Sequence, residues 1–228
     1  MAKFTASQVA ETIVKYCIEN GIKIIYISGN GGSGKTTLSK LIQQSVNPYG
    51  TCNAIEMDDF VVDTKLRNSA NAAWIDVDTG EERNGKYTTS FEASYFLQNI
   101  KAILCNLIRG NNYWHWPKKG KVLEDSAVEY KADALLTVVE GISSVFLPKF
   151  APTLTIFMEC SKDVEIARRV QRARSENEKD LAAAEKSYEV RNSQFKANIL
   201  PHASEFDIEL HSDEDYGLVV KKDTMKVL

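Results

Sequence analysis

The run Gly29-Asn30-Gly31-Gly32-Ser33-Gly34-Lys35-Thr36 follows an apolar stretch, residues 22–28, that has the composition of a β-strand. Its closely spaced glycines allow positive φ angles, so that successive backbone N–H groups can turn inward around a bound anion. The residues that come next, 35–46, are predicted to form a helix, whose N-terminus carries a partial positive charge. A strand, a glycine-rich turn and a helix in this order therefore predict a phosphate-binding site in an α/β fold.

The spacing of these residues fits the pattern G-x-x-x-x-G-K-[ST], the P-loop that binds nucleoside triphosphates. In that pattern Lys35 reaches the β- and γ-phosphates, and the hydroxyl of Thr36 coordinates Mg²⁺. A glycine-rich turn that merely precedes a lysine is the alternative, and the strand-then-helix context argues against it. The predicted cofactors are therefore ATP and Mg²⁺. The residues predicted to bind ATP are Gly29, Asn30, Gly31, Gly32, Ser33, Gly34, Lys35, Thr36 and Thr37.

The composition limits the domain organisation and the classes of partner. A chain of 228 residues is long enough for one α/β domain with a small insertion, and we expect residues 1–228 to form a single domain. The formal net charge of −3 argues against nucleic acid and against an anionic membrane surface as the main partner. No apolar stretch approaches the length of a membrane span, and residues 1–17 lack the apolar core of a signal sequence. These features favour a small-molecule partner.

The four cysteines lie far apart in the sequence, at Cys17, Cys52, Cys105 and Cys160. This distribution, without a C-x-x-C pair, favours buried reduced thiols over a disulfide framework or a zinc site. Reduced thiols in turn predict a cytoplasmic location. The sequence does not decide between a monomer and a homo-oligomer.

Strands alternate with helices along the chain, which implies a mostly parallel sheet covered by helices on both faces. Helices are predicted over residues 6–20, 35–46, 91–107 and 161–198, and strands over 22–28, 54–57, 134–139, 154–158 and 206–210. Residues 61–88 are polar and lack periodicity, which predicts a loop-rich insertion near the acceptor site. Residues 163–180 carry many charges and few large apolar side chains and are the candidate helical lid. The lysine-rich C-terminus is expected to fray.

Acidic residues follow two of the predicted strands. Asp58 and Asp59 follow the strand at 54–57, and Glu140 follows the strand at 134–139. The carboxyl ends of parallel strands form the ligand-binding edge of an α/β sheet, so these carboxylates are expected near the P-loop. A P-loop alone fits an ATPase, a GTPase or a small-molecule kinase, but phosphoryl transfer to a hydroxyl also needs a base and cations around the transferred group. The acids and the arginine-rich stretch beyond them favour a kinase.

This order of motifs resembles the uridine kinase and phosphoribulokinase family of P-loop kinases, which includes the bacterial-type pantothenate kinases. The resemblance covers approximately residues 22–212 and is carried by GNGGSGKTT (29–37), MDDF (57–60), VVEGI (138–142) and DVEIARRVQRAR (163–174). It implies that Asp58 is the acceptor-side base and that Glu140 helps to organise Mg²⁺. It also implies that lid arginines contact the phosphates, and the positions that match best are Arg169, Arg172 and Arg174.

Each of these residues has a structural alternative. Asp is a favoured N-cap, so Asp58 and Asp59 could cap the segment that follows them. Glu92 falls near the place where the family carries an acceptor-binding acid, but residues 89–92, Thr-Ser-Phe-Glu, also fit a capping box at the start of the long helix. Arginine-rich helices are commonly solvated faces, although a guanidinium suits bidentate contact with phosphate.

The chain departs from the family in a region that is a candidate for binding the acceptor. Pyrimidine nucleoside kinases of this family usually carry a Tyr-Asp pair where this chain has Tyr-Trp-His-Trp at 113–116. Aromatic rings can stack on a base, so Phe60, Tyr113 and His115 are candidate substrate contacts beside Asp58, with core packing as the alternative. The predicted acceptor is a small metabolite with a hydroxyl, and a nucleoside is the first candidate. The alternatives are a kinase for pantothenate or a sugar, and a nucleotide-dependent switch or accessory ATPase.

Overall fold

The computed structural model of the chain describes residues 3–116, 127–150, 152–175 and 181–228, and the side chains of 172–175 and 181–186 are outside the description. The strands in these ranges are β1 (Lys3–Phe4), β2 (Ile24–Gly29), β3 (Cys52–Glu56), β4 (Asn71–Ile75), β5 (Glu82–Lys86), β6 (Tyr113–His115), β7 (Val128–Tyr130), β8 (Leu136–Glu140), β9 (Thr153–Glu159), β10 (Ile208–Ser212) and β11 (Leu218–Asp223). The helices are α1 (Ala6–Glu19), α2 (Lys35–Val46), α3 (Thr64–Ser69), α4 (Leu97–Ile108), α5 (Lys162–Ser175) and α6 (Leu181–Asn198).

The central sheet has seven strands in the order β1-β11-β10-β9-β2-β8-β3. The strands from β10 to β3 are parallel to one another, and β11 and β1 add an antiparallel edge. Because β8 lies between β2 and β3, the carboxyl ends of these three strands lie side by side, at the edge where such sheets bind ligands. This arrangement confirms the predicted α/β fold with a mostly parallel sheet.

Helices cover both faces of this sheet because its central strands are apolar on both faces. β2 is buried at every position, as expected for a strand between two layers. Successive residues of a strand point to opposite faces. On one face α1 and α2 contribute Ile13 and Leu38 to a core that includes Ile25. On the other face α4 contributes Ile100 to a core that includes Tyr26.

Residues 61–88 form regular structure, so the prediction of a loop-rich insertion is wrong. α3 is followed by an antiparallel hairpin of β4 and β5. Trp74 of β4 is buried, and its indole Nε1 donates a 2.8 Å hydrogen bond to Ser193 Oγ on α6. The turn is closed by Asp76, whose carboxylate accepts from two backbone amides of the turn. Sequence periodicity missed this hairpin because it packs on a helix more than a hundred residues later in the chain.

The long helix begins later than the sequence pattern predicted. α4 starts at Leu97, and Glu92–Ser94 form a single 3-10 turn. The capping box predicted at residues 89–92 does not form, since no side chain caps that turn. The chain between the turn and α4 is extended, and Tyr95 pairs with Val61 in an isolated β-bridge. Pairing with the insertion therefore replaces the first helical turn.

Two further elements differ from the expectations. β11 pairs with β10 in antiparallel fashion, so the lysine-rich end is a strand of the central sheet and not a frayed tail. The aromatic residues after α4 form β6, which pairs with β7 as a separate two-stranded sheet. Among the helices of the described ranges, none has the length and the apolar composition needed to cross a membrane.

Candidate active site

The P-loop connects the end of β2 to the start of α2, and two glycines determine its shape. Gly29 has a φ of 135°, and a Cβ at this position would lie 1.7 Å from the backbone oxygen of Met158 on β9. Gly34 has a φ of 95° and is the N-cap of α2, where the left-handed conformation turns the chain into the helix. No side chain caps α2 at this residue, which leaves the first amides of the helix for an anion.

Lys35 lies inside the loop. Its Nζ donates to the backbone oxygens of Gly29, at 3.0 Å, and Asn30, at 2.6 Å. Burial lowers the pKa of Lys35 below its ordinary value, and the negative charges of Glu140 and Asp58 act against that change. The ammonium group is thus held at the centre of the loop, as contact with the β- and γ-phosphates requires.

Thr36, in the first turn of α2, forms a hydrogen bond with Glu140, the last residue of β8. The hydroxyl of Thr36 donates to Glu140 Oε1 at 2.9 Å. Glu140 is buried, and burial raises its pKa, while the charge of Lys35 and the hydrogen bond from Thr36 act in the opposite direction. Within the described ranges no three acidic, histidine or cysteine side chains are grouped to hold a metal. A hydroxyl with one carboxylate suits Mg²⁺, which completes its coordination with water and substrate phosphates.

Asp58 faces the same cleft from the end of β3. It lies in the 3-10 turn Met57–Phe60, is exposed, and has no hydrogen-bond partner among the described residues. The alternative role as a helix cap is filled by Asp63, whose carboxylate accepts from the amide of Lys65 at 2.8 Å. The cleft has a volume of about 700 Å³. Its lining includes Gly31, Gly32, Ser33, Gly34, Lys35, Thr36, Thr37, Asp58, Thr89, Glu140, Arg168, Arg169 and Tyr216.

Arg169 lies against the P-loop and is paired with a buried carboxylate. Its Nη2 forms an ion pair with Glu165 Oε1 one turn earlier on α5, at 2.5 Å. A Cβ on Gly31 would lie 2.2 Å from the same Nη2, so the guanidinium occupies the space that the missing side chain leaves. The Nε of Arg169 is buried without a hydrogen-bond partner in the described part of the chain. Arg169 is therefore already beside the phosphate-binding loop.

The side chain of Asn30 connects the P-loop to α5 and to Cys160, which lies just before that helix. Its Nδ2 donates to Glu165 Oε2 at 2.8 Å and to the backbone oxygen of Cys160 at 3.1 Å. Its Oδ1 accepts from the amide of Cys160 at 3.0 Å. Ser33 similarly donates within the loop, from Oγ to the Asn30 oxygen at 2.9 Å. The side chains of Asn30 and Ser33 therefore maintain the shape of the loop, and at these two residues only the backbone groups are left for a nucleotide.

Arg168 is a site residue that sequence reasoning did not select. It is buried, its Nη1 donates to Gly32 O at 2.7 Å and to Ser212 Oγ at 3.0 Å, and its guanidinium lies 4.3 Å from the ring centre of Tyr216. The available signal was helical spacing, because Glu165, Arg168 and Arg169 are at i, i+3 and i+4 and share one face. Arg172 and Arg174, which the resemblance selected, have side chains outside the described residues.

Two of the aromatic residues proposed as substrate contacts stack on each other, and the third packs against the hydrophobic core. Phe60 is buried and stacks on His115, with ring centres 4.5 Å apart and an interplanar angle of 17°. Burial lowers the pKa of His115, and its Nε2 is buried without a partner in the described chain. Tyr113 packs against the core that contains Phe60 and Tyr95. These contacts favour core packing for Phe60 and Tyr113, which was the structural alternative.

Comparisons with known proteins agree with this geometry. A family model described as "PRK: Phosphoribulokinase / Uridine kinase family" matches residues 24–215. D-glycerate 3-kinase from Cryptococcus neoformans var. grubii has a similar fold, with a TM-score of 0.66 and 9% identity over 94% of this chain and 98% of that chain. Phosphoribulokinase from Rhodobacter spheroides is also similar, with a TM-score of 0.56 and 13% identity over 83% of this chain and 70% of that chain. No curated protein matches the sequence.

Proposed function

Because the chain belongs to the phosphoribulokinase and uridine kinase family and is a P-loop kinase, we propose that it transfers the γ-phosphoryl group of ATP to a hydroxyl of a small polar metabolite. The observation that carries the proposal is the position of Asp58. Its exposed carboxylate lines the same cleft as Lys35, Thr36 and Glu140, so a base, a phosphate-binding cation and a metal-binding pair face one space. A kinase needs these three parts together.

In the proposed reaction, the loop amides and Lys35 hold the β- and γ-phosphates in place. Asp58 accepts the proton of the acceptor hydroxyl on a carboxylate oxygen as that oxygen forms a bond to the γ-phosphorus. The bond between the γ-phosphorus and the β,γ-bridging oxygen breaks, and ADP leaves. Thr36 and Glu140 would hold Mg²⁺, and the bound cation would neutralise part of the negative charge on the phosphates. We also propose a cytoplasmic location, where ATP and Mg²⁺ are available.

Arg169 is the arginine of α5 best placed to act on the transferred group. Its guanidinium is half-buried beside Gly31 and paired with Glu165. A planar guanidinium binds phosphate oxygens in bidentate fashion, and its charge is independent of pH in the physiological range. We propose that Arg169 stabilises the charge of the γ-phosphoryl group in the transition state. Movement of α5 as a lid remains part of this proposal.

For the acceptor, we propose a compact polar molecule such as a sugar or sugar acid in place of the nucleoside suggested by the motif order. Two observations support this choice. Phe60 and Tyr113, which were candidates to stack on a base, instead pack in and against the hydrophobic core, and Phe60 also stacks on His115. The structures of similar fold include one described as a D-glycerate 3-kinase and one described as a phosphoribulokinase, both named for non-nucleoside acceptors.

An acceptor screen tests this function. Purified protein with Mg²⁺ and ATP would be given a panel of sugars, sugar acids, pantothenate and nucleosides, with ADP release as the readout and phosphorus NMR to identify the product. We expect ADP release to require one class of polar acceptor and to match the phosphorylated product mole for mole. A different outcome would indicate a nucleotide-dependent switch: ATP hydrolysis would be slow, no small molecule would stimulate it, and a partner protein would change its rate.

A further inference from the structure

The central sheet gives the cleft two sides, one on either side of the P-loop. The loop follows β2 in the middle of the sheet, with β8 and β3 on one side and β9, β10 and β11 on the other. The proposed base, Asp58, follows β3, which is two strands or about 10 Å from β2 at the usual strand spacing. The acceptor therefore belongs on the β3 side of the cleft.

The direction of phosphoryl transfer determines which part of the nucleotide lies on the other side. The attacking oxygen, the γ-phosphorus and the leaving oxygen of ADP are roughly in line during the transfer. With the acceptor hydroxyl at Asp58, ADP leaves the γ-phosphorus in the opposite direction. The ribose and the base of the nucleotide are consequently directed away from β3, toward the ends of β10 and β11.

That end of the cleft carries an exposed aromatic side chain. Tyr216, in the turn between β10 and β11, lines the cleft together with Ala6, Gln171, Ser212 and Leu218. Tyr216 is 58% exposed, and its hydroxyl oxygen lies 3.4 Å from Gln171 Oε1. An accessible ring beside apolar side chains suits the flat face of a nucleobase.

The ring of Tyr216 is held by the same arginine that contacts the P-loop. The guanidinium carbon of Arg168 lies 4.3 Å from the centre of that ring. The guanidinium also donates to Gly32 O at 2.7 Å and to Ser212 Oγ at 3.0 Å, and it donates to the backbone oxygen of Asp213. A buried arginine with three polar partners thus sets the position of the ring relative to the phosphate-binding loop.

The backbone of Tyr216 has a conformation that tyrosine seldom adopts. Its φ of 64° lies in the left-handed region, where glycine and asparagine are the usual residues. The turn is closed by hydrogen bonds from Tyr216 N to Asp213 O at 3.0 Å and from Asp213 N to Gly217 O at 2.9 Å. Lys3 of β1 forms ion pairs with Asp213 at 3.0 Å and with Asp215 at 2.7 Å. A strained residue that its surroundings hold in place, with its ring exposed, favours a role in ligand binding over one in packing.

We propose that Tyr216 is the platform on which the base of the nucleotide stacks, and that stacking lets the site accept GTP as well as ATP. This inference rests on the proposed function, because the acceptor at Asp58 sets the direction in which the nucleotide lies. Every nucleobase has an aromatic face, so stacking on a ring does not distinguish one purine from the other. The amide of Gln171 carries both a donor and an acceptor and can meet the edge of either purine.

Calorimetric titrations test the platform without turnover. Purified protein with Mg²⁺ would be titrated with AMP-PNP, with GMP-PNP and with tripolyphosphate, which carries the phosphates without a base. We expect the two nucleotide analogues to bind wild type with affinities within a few-fold of each other. Tyr216→Asn removes the ring and keeps a residue that tolerates the left-handed conformation. It is expected to bind both analogues on the order of tenfold more weakly, as loss of base stacking predicts, and to bind tripolyphosphate as wild type does.

Two further variants serve as controls. Tyr216→Phe restores the ring and is expected to recover the affinity that Tyr216→Asn loses. Tyr49→Ala is the matched control, because Tyr49 is an exposed tyrosine that is not among the described residues lining the cleft. The platform would be overturned if Tyr216→Asn bound AMP-PNP as tightly as wild type, or if its affinity for tripolyphosphate fell equally. A GMP-PNP affinity more than roughly tenfold below that for AMP-PNP would overturn selection by stacking.

Steady-state kinetics separate this inference from the kinase function. Acceptor-dependent ADP release with the same KM for ATP in wild type and Tyr216→Asn would overturn the platform while the kinase function stands. Binding of AMP-PNP that depends on the ring, without acceptor-dependent ADP release, would support the platform and count against the kinase function.

Discussion

The hydroxyl of Thr36 donates a 2.9 Å hydrogen bond to Glu140 Oε1, which joins the first turn of α2 to the last residue of β8. The sheet creates this contact, because β2 and β8 are parallel neighbours and Glu140 lies in register with Ile27, two residues before the P-loop. The nucleotide-binding loop and the metal-binding carboxylate are therefore positioned by the same pair of strands.

Replacement of Glu140 tests this pair. Glu140→Gln keeps the acceptor oxygen for Thr36 but removes the charge that would bind Mg²⁺. We expect kcat to fall by on the order of 10²-fold and the Mg²⁺ concentration for half-maximal activity to rise, as expected for loss of a charged ligand. Activity titrated against Mg²⁺ at saturating ATP is the measurement. An unchanged Mg²⁺ requirement would remove Glu140 from the metal site.

Replacement of Lys35 tests the triphosphate site. Lys35→Ala removes the cation at the centre of the loop, whereas the shape of the loop depends on Gly29 and Gly34. We expect turnover to fall by on the order of 10²-fold or more while thermal unfolding shifts little. Steady-state kinetics and a melting curve on the same sample check both statements. Turnover close to wild type from a folded variant would contradict the role of Lys35.

Much of the part of the molecule that forms the nucleotide site, namely the P-loop, α2 and the carboxyl ends of the neighbouring strands, was predictable from the sequence. The bounds of α2 agree with the prediction because the P-loop and the helix are one local unit, and no distant contact is needed to define them. The positions of Asp58 and Glu140 followed from the rule that parallel strands end at one edge. These predictions rest on short-range pattern and on sheet geometry, both of which a single sequence carries.

The hairpin, the start of α4 and the position of Arg168 were harder to predict, because contacts between residues far apart in the sequence determine them. The hairpin of β4 and β5 owes its order to Trp74 and its bond to Ser193, which are 119 positions apart. The start of α4 depends on Tyr95 pairing with Val61. Arg168 could not be separated from Arg169 by composition, because what distinguishes it is contact with Gly32 and the β10–β11 turn.

Glu165 provides a test of how Arg169 is positioned. Glu165→Gln keeps an oxygen that can accept from Asn30 but removes the ion pair with Arg169. We expect kcat to fall by on the order of tenfold with little change in the KM for ATP, because the affected contact is made mainly in the transition state. Glu189→Gln is the control, since its exposed ion pair with Lys162 includes neither Arg169 nor a residue of the P-loop.

The kcat of Glu165→Gln would be compared with its melting temperature. If Glu165→Gln lowered the melting temperature and left kcat unchanged, the carboxylate would have a structural role only. If Glu165→Asp recovered more activity than Glu165→Gln, charge at this position would be the property that matters.

Asp76 predicts a dependence of stability on pH. Burial alone would raise the pKa of Asp76, but hydrogen bonds from Ser193 and from turn amides, together with the charge of Arg83, bring it below its ordinary value. A carboxylate with a lowered pKa in the folded state stabilises the protein above its unfolded pKa of about 3.9, and this contribution is lost as the pH falls through the folded value.

Denaturant midpoints at pH 7 and pH 3 measure this effect. We expect wild type to lose more stability between these values than Asp76→Asn, whose side chain does not titrate. The exposed Asp133→Asn should follow wild type. Equal losses in wild type and Asp76→Asn would contradict the assignment.

The central claim is that Asp58 is the acceptor-side base, and the kcat of Asp58→Asn tests it most directly. Asn has nearly the size of Asp but cannot accept the proton of the hydroxyl. With the acceptor identified by the screen and ATP saturating, we expect kcat to fall by on the order of 10² to 10⁴-fold while ATP affinity stays close to wild type. A kcat within a few-fold of wild type would contradict the claim and would leave this carboxylate without a role in the chemistry.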